Sequence, residues 1–328
     1  MIAQLDKYYL KSGVNKLYQR FVSYFLFEGR PLTTRGRFIN GFVLLWFYFI
    51  DVLPFKGSVQ KPVFILGTGR SGTTILGKLL GIHKQMSFLN EPKLIWHYAI
   101  RNEDLAGSYS AEPGKLRFDE TDFEDEVLYK LNKIYSAYRF LTGSNFIVDK
   151  YPELIFRIKY VKKLFPDAKF ILIIRNGIQT SYSIKNWNTK FAKFRNGNKE
   201  DWWGLNDRKW KILLEEAINN PIFENDHVAL NKISKDEEKG AVEWILTMNE
   251  ALRYMNDPNF IVVRFEELIK DYRSNLDRIT KFINIRLDER VNEYASEILK
   301  PEKSTTFSEL PPYLTEKIFL IYEKFKPA

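Results

Sequence analysis

Residues 62–74 read Pro-Val-Phe-Ile-Leu-Gly-Thr-Gly-Arg-Ser-Gly-Thr-Thr, and they restrict the chain to few architectures. Val63 to Leu66 is a short apolar run of the kind that forms a strand buried on both faces. Gly67, Gly69 and Gly72 follow at once, and Thr73 to Leu80 then carries Ile75, Leu76, Leu79 and Leu80 at helical spacing. Strand, glycine-rich turn and helix together aim a row of backbone N–H groups at one point. The helix dipole adds partial positive charge there. The expected ligand is an anion of phosphate type.

Gly67 and Gly72 have the G-x-x-x-x-G spacing of a P-loop, which continues with Lys and then Ser or Thr when it binds ATP or GTP. Here Thr73-Thr74 follow, and the cation sits earlier, at Arg70. A nucleoside triphosphatase built this way would lack the lysine that reaches the β- and γ-phosphates. Glycines alone could serve a tight strand–helix connection with no ligand. An arginine and three hydroxyl residues crowded into the same turn are more than such a connection needs.

The rest of the chain fits an α/β protein. Its 328 residues suit one large domain with additions, or two. A net charge of +9 suits a nucleic acid, a membrane surface or a polyanionic small substrate, and does not choose among them. No cysteine is present, which excludes disulfides, Cys-ligated zinc and thiol catalysis. Residues 1–37 mix aromatics with Lys and Arg at amphipathic helical spacing, until Gly29 and Pro31 break it. Phe42 to Ile50 is an unbroken apolar run, shorter than the roughly 20 residues a spanning helix needs. It reads as a buried helix, or as one lying on a membrane between Arg35, Arg37 and Lys56. Nothing at the N-terminus resembles a signal peptide.

Further strands are expected at Phe146 to Val148, Lys169 to Ile174 and Phe260 to Val263, with a short extended run at Met86 to Phe88. Helices are expected over 93–101, 125–141, 153–164, 178–187, 241–255 and 266–282. Residues 102–124 read as an acidic surface loop, and 188–240 as a helical insertion covering the site on the acceptor side. The C-terminal region contains Lys300-Pro301-Glu302-Lys303-Ser304-Thr305. Strands alternating with helices imply a mostly parallel sheet with helices on both faces, and ligands bind such sheets at the strands' C-terminal ends. Arg70, Lys150 and Arg175 all fall just past strand ends, and Glu91 lies at the sheet mouth before Pro92.

The turn Arg70-Ser71-Gly72-Thr73-Thr74 resembles the 5′-phosphosulfate loop of sulfotransferases that use 3′-phosphoadenosine 5′-phosphosulfate (PAPS). Phe170 to Ser183 resembles the family's second segment, where an Arg at a strand end and a Ser eight residues later grip the 3′-phosphate. Arg175 and Ser183 have that spacing, with Asn176-Gly177 in place of the usual Asp-Pro. Ala241 to Trp244 and Val262 to Leu268 resemble the family's late Trp helix and final strand, with Phe265 replacing a Tyr. The resemblance covers roughly residues 61–285; residues 1–55 and most of 188–240 fall outside it. It is similar above all to the tyrosylprotein-sulfotransferase-type branch, which uses a Glu base where cytosolic relatives use a His.

That resemblance implies a P-loop-like sulfotransferase fold at 61–328, preceded by a helical extension at 1–60. It implies Glu91 as general base, with Arg70 and Lys150 stabilising charge on the transferring group. Gly69, Arg70, Ser71, Gly72, Thr73 and Thr74 would bind the 5′-phosphosulfate, and Arg175 and Ser183 the 3′-phosphate. PAPS would be the co-substrate and 3′-phosphoadenosine 5′-phosphate (PAP) the product, with no metal. The acceptor could be carbohydrate, lipid, protein tyrosine or a small alcohol, and no nucleic acid is expected. The expected setting is the cytoplasm, with peripheral membrane contact through residues 1–55. Two alternatives stand beside it: a P-loop-like kinase or nucleoside triphosphatase, and a non-catalytic protein that binds membrane or nucleic acid through its basic, aromatic N-terminus.

Overall fold

Short apolar runs alternating with amphipathic segments produce the sheet that the spacing predicts. A computed structural model describes residues 4–55, 57–301 and 309–326; Lys56 and residues 302–305 lie outside them. In chain order come α1 (Val14–Val22), α2 (Ile39–Val52), β1 (Val63–Leu66), α3 (Thr73–Ile82) and β2 (Met86–Asn90). Next are α4 (Lys93–Ala99), α5 (Asp125–Thr142), β3 (Phe146–Lys150), α6 (Ile158–Leu164), β4 (Lys169–Ile174) and α7 (Gly177–Phe191). Then follow β5 (Lys193–Arg195), β6 (Asn198–Asp201), β7 (Gly204–Leu205), α8 (Arg208–Ile218), α9 (His227–Leu230) and α10 (Asp236–Ala251). The last are β8 (Phe260–Arg264), α11 (Phe265–Lys270), α12 (Tyr272–Phe282), α13 (Glu289–Ile298) and α14 (Pro312–Glu323).

The main sheet has strand order β2-β3-β1-β4-β8, and every pairing in it is parallel. Because side chains alternate across a strand, β1 sends Phe64 and Leu66 into one core and Val63 and Ile65 into the other. All four are fully buried, which is why the strand is apolar at every position rather than at every second one. Helices α2, α4, α5, α6, α7 and α10 cover the Phe64 face, and α3, α12 and α13 cover the Val63 face. The chain leaves β1 toward β3 and β2 on one side and toward β4 and β8 on the other. A crevice therefore opens at the C-terminal end of β1.

The N-terminal helices belong to this body. Strand β2 is an edge, with carbonyls that need partners. Helix α1 supplies them: buried Lys16 donates Nζ to Met86 O at 2.7 Å, and to His83 O just before the strand at 2.6 Å, and buried Arg20 donates to Phe88 O at 2.5 Å. Helix α2 buries Val43, Phe47 and Ile50 in the Phe64-side core. Its other face is apolar too and stands in solvent, so a buried helix describes only one side of it. Among the described residues no helix is long and apolar enough to cross a membrane.

Four segments depart from the expected elements. Residues 152–157 form a 3₁₀ turn before α6, because Pro152 starts it and the buried Arg157 guanidinium reaches the Leu116, Glu103 and Lys115 carbonyls. The helix expected over 266–282 breaks at Asp271, whose side chain accepts from Ser274 N and caps α12. The loop 102–124 is tied down by its own acids: buried Glu103 pairs with Arg157, and Asp104 accepts four backbone N–H groups. The segment 188–240 is not wholly helical, since β5, β6 and β7 form a small antiparallel sheet. Its hairpin turns at Asn196-Gly197, both at positive φ, the pair that a two-residue turn favours.

Candidate functional site

The site is assembled from strand ends that the parallel sheet brings level. After β1 the turn needs unusual backbone, and its glycines supply it. Gly67 has φ +144° and a Cβ there would meet Ile173 O at 2.6 Å; Gly72 has φ +99° and a Cβ would strike the Phe265 ring at 2.5 Å. Arg70 adopts φ +73° without being glycine. The turn is braced by Ser71, whose Oγ donates to Thr68 O at 2.6 Å, so that hydroxyl faces the scaffold rather than the cleft. No side chain caps α3 at Gly72, which leaves its first-turn N–H groups for an anion. Thr68 Oγ1 is buried without a partner, and Thr73 and Thr74 line the cleft beside it. Together these features fit a phosphate-type group.

Two further sequence-predicted residues join the loop. Arg70 Nε donates to Ser183 Oγ at 3.3 Å, and an Arg175 terminal nitrogen donates to Arg70 O at 3.3 Å. Arg70, Arg175 and Ser183 thus form one cluster at the β4–α7 junction. Desolvation and then the Arg175 charge lower the Arg70 pKa, as two guanidinium groups sharing a site must. Asn176 explains the departure from Asp-Pro: it caps α7 by accepting from Gln179 N at 3.1 Å. Gly177 lies so close to α10 that a Cβ would meet Trp244 at 2.9 Å, and Trp244 Nε1 donates to Arg175 O at 3.0 Å.

Across the crevice, Lys150 ends β3 and Asn90, its registered partner, ends β2. Glu91 follows with φ +51°, its N–H donating to Lys150 O at 2.7 Å. Lys150 Nζ donates to Glu91 Oε1 at 2.5 Å, and Lys93 Nζ stands 3.9 Å from Glu91 Oε2. Burial would raise the Glu91 pKa, but Lys150 and Lys93 outweigh it and hold the carboxyl below its ordinary value. Glu91 is therefore a carboxylate near neutrality.

A cleft of about 660 Å³ connects Glu91 with Arg70, Thr73 and Thr74. It also contains a charge chain that sequence reading missed. Lys93 pairs with Glu153 at 2.7 Å, Lys209 pairs with Glu243 at 2.7 Å and stands 3.6 Å from Glu153, and Trp202 Nε1 donates to Glu243 at 2.9 Å. The Trp202 ring packs where a Cβ on Gly69 would go, at 2.5 Å, so the 188–240 segment does reach the loop. Lys93 and Glu153 each sit just beyond a residue flagged by motif, and only their meeting across two strand ends reveals them. Glu28, Arg30 and Thr33 also line the cleft, from the N-terminal region. No histidine does: His83 Nε2 bonds Arg286 O at 2.8 Å, and His97 stacks on Tyr109.

Residues 62–219 match the sequence profile of the sulfotransferase family. The match runs past residue 188, into the 188–240 segment, most of which the motif resemblance leaves outside. Protein-tyrosine sulfotransferase 1 of Danio rerio is 27% identical over 224 residues, which is 66% of this chain and 59% of that protein. Nodulation protein NoeE of Sinorhizobium fredii is 28% identical over 138 residues, 40% of this chain and 33% of that protein. The sulfotransferase domain of the Synechococcus PCC 7002 olefin synthase aligns with a TM-score of 0.48 at 16% identity, over 83% of this chain and 96% of that one. The chain spans about three fifths of the fish relative's length.

Proposed function

We propose, with the membership of residues 62–219 in the sulfotransferase family as premise, that this chain moves a sulfuryl group from PAPS to an acceptor hydroxyl or amine. One observation carries the reading. The uncapped N-terminus of α3 and the Lys150–Glu91 ion pair open into the same crevice, at the ends of neighbouring parallel strands. An anion-binding turn beside a carboxylate–ammonium pair is what transfer of a charged group to a nucleophile requires. We take residues 61–328 as the catalytic unit and residues 1–60 as its helical extension.

When bound, PAPS supplies the sulfuryl group and leaves as PAP. The backbone of the 69–74 turn, with the Thr73 and Thr74 hydroxyls, holds the 5′-phosphosulfate; Ser71 serves it by bracing that turn, its N–H and its hydroxyl both donating to Thr68 O. Arg175 and Ser183 hold the 3′-phosphate, with Arg forking onto two oxygens. Arg70 and Lys150 face charge that grows on the transferring group. Glu91 takes the proton from the acceptor O–H or N–H as that atom attacks in line. A carboxylate held low by two lysines is a weak base. It strengthens when Lys150 turns toward the sulfuryl oxygens, because the nearest stabilising charge then leaves it. The acceptor enters past Trp202 and the charge chain, and peripheral membrane contact through the N-terminal helices fits the same arrangement.

Calorimetry with PAP and with ATP–Mg²⁺ tests the nucleotide side. Tight binding of PAP, abolished by Arg175→Ala, supports the assignment. Preference for ATP–Mg²⁺ would return the chain to the kinase class. Transfer of labelled sulfate from PAPS to a panel of acceptor extracts tests the reaction itself.

A further inference from the structure

Two N-terminal helices expose apolar stripes that none of the described residues covers. Along α1 and the π turn that extends it (Ser23–Phe27), Val14, Tyr18, Phe21 and Phe25 recur at spacings of four, three and four and are 83, 49, 41 and 42% exposed. From Phe38 along α2, the large exposed hydrophobic residues are Phe38, Phe42, Leu45, Tyr48, Phe49 and Val52, between 51 and 87%. The π turn packs on α2, so the two stripes belong to neighbouring elements. Soluble surfaces scatter such residues singly and seldom line them up.

The stripes end at the cleft. The link between the helices places Thr33 and Thr34 in the cleft wall. Lys193 Nζ donates to Thr33 O at 2.8 Å and Arg37 pairs with Glu200 at 2.9 Å, which fasten the β5–β6 hairpin beside it. That hairpin carries Phe194, 79% exposed, and Phe191 at its foot lines the cleft. The exposed charges that residues 4–55 and 190–201 themselves carry are cationic. Lys7, Lys11, Arg35, Lys190 and Arg195 are exposed. The acids of residues 4–55 are turned inward: Asp6 bonds Lys78 and Tyr294, Glu28 bonds Arg20, and Asp51 bonds Tyr98. On the hairpin Glu200 and Asp201 are buried.

We propose that this face docks on the headgroup region of an anionic lipid bilayer, with the cleft mouth turned toward the membrane. Aromatic and aliphatic side chains would enter the interface while the cations meet lipid charge. The 14 residues of α2 reach about 21 Å, too short to span a bilayer, so the helix lies along it. A second copy of the chain fits less well, because pairing these faces would bring Arg35, Lys7, Lys11 and Arg195 against their own kind. The inference deepens the sulfuryl-transfer reading by presenting the cleft to lipid-borne acceptors, but docking can be measured without that reading.

Flotation of the full chain with phosphatidylcholine vesicles, with and without one third phosphatidylglycerol, tests it. The chain should float with the anionic vesicles and much less with the neutral ones. The exposed triple variant Phe42→Ser/Leu45→Ser/Phe49→Ser should lower partitioning at least ~tenfold, and high salt should weaken it too. Since the chain has no cysteine, single cysteines can carry a polarity-sensitive dye. A dye at Phe194→Cys should shift to the blue on vesicle addition, and one at Lys281→Cys, on the opposite face, should not. Absent flotation, unchanged flotation of the triple variant, a shift at position 281 instead of 194, or a dimer that the triple variant dissociates would each overturn the proposal. PAP calorimetry on the triple variant reports nucleotide binding separately, so loss of one reading is distinguishable from loss of the other.

Discussion

Glu91 and Arg70 both hold left-handed backbone, a conformation that costs a non-glycine residue of order 1–3 kcal/mol. At Glu91 the surroundings impose it: its N–H is fixed to Lys150 O and its carbonyl to Lys93 N, each at 2.7 Å. The reward is direction, since the side chain then points at the Lys150 ammonium rather than along the strand. If Glu91 accepts the acceptor's proton, Glu91→Gln keeps the shape and loses the base. Turnover should fall by about 10²-fold or more, with PAP affinity by calorimetry unchanged; full activity would remove Glu91 from the mechanism. The pH profile follows from the same pair. The active form is the carboxylate, and its pKa is held below the ordinary 4.5 by Lys150 and Lys93 against burial. Activity carried by this group is present above that lowered pKa and lost as pH falls through it. The acid limb of kcat/KM should therefore lie below 4.5, and Lys93→Met, which removes one of the two cations, should move it upward.

Helix α1 and the turn behind it act on the site through one buried ion pair. Arg20 donates to both oxygens of Glu28, at 2.7 and 2.6 Å, and Glu28 Oε1 accepts the Asn90 N–H at 2.6 Å, one residue before Glu91. Arg20→Met would leave Glu28 charged and buried without its partner, at a cost of about 3–5 kcal/mol. Urea unfolding should show that loss. Arg20→Met/Glu28→Leu should recover part of the stability without restoring turnover, because Asn90 N–H stays unpaired. The link was not legible in the sequence, where Arg20 and Glu28 are two charges among many in an amphipathic stretch. What was legible is what depends on neighbours along the chain: the strands at 63–66, 146–148, 169–174 and 260–263, and the turn with Arg70, Thr73 and Thr74. Lys150 and Arg175 could be placed because parallel strands bring their ends level, and Glu91 and Ser183 through the resemblance to sulfotransferases. The Lys93–Glu153 and Lys209–Glu243 pairs could not, since each joins residues 34 or more apart and no local pattern says which charge meets which. The 193–205 sheet carried a local signal, Asn196-Gly197, hidden in a segment read by its Lys and Trp content.

The N-terminal residues bear on the whole molecule in two opposed ways. Their outer faces are surplus to folding, so serines at Phe42, Leu45 and Phe49 should leave the melting temperature nearly unchanged. Their inner faces are core. Val22, Phe27, Val43, Phe47 and Ile50 are at most 7% exposed and share one cluster with Phe64, Leu66 and Phe170 of the sheet. Burying each is worth about 1.5–3 kcal/mol, so the five together contribute on the order of 10 kcal/mol, comparable to the 5–15 kcal/mol that holds a whole domain together. Removing residues 1–55 would also strip Lys16 and Arg20 from the carbonyls of β2 and leave that edge open to pairing with another chain. The shortened chain should therefore aggregate or melt far below the full one. Size-exclusion chromatography and thermal unfolding of the two lengths check this. A monomeric truncation that melts within a few degrees of the full chain would mean that the sheet is self-sufficient and that the two helices are only applied to it. In that case the surface residues alone would explain why a 14-residue helix without a polar face is kept beside the cleft.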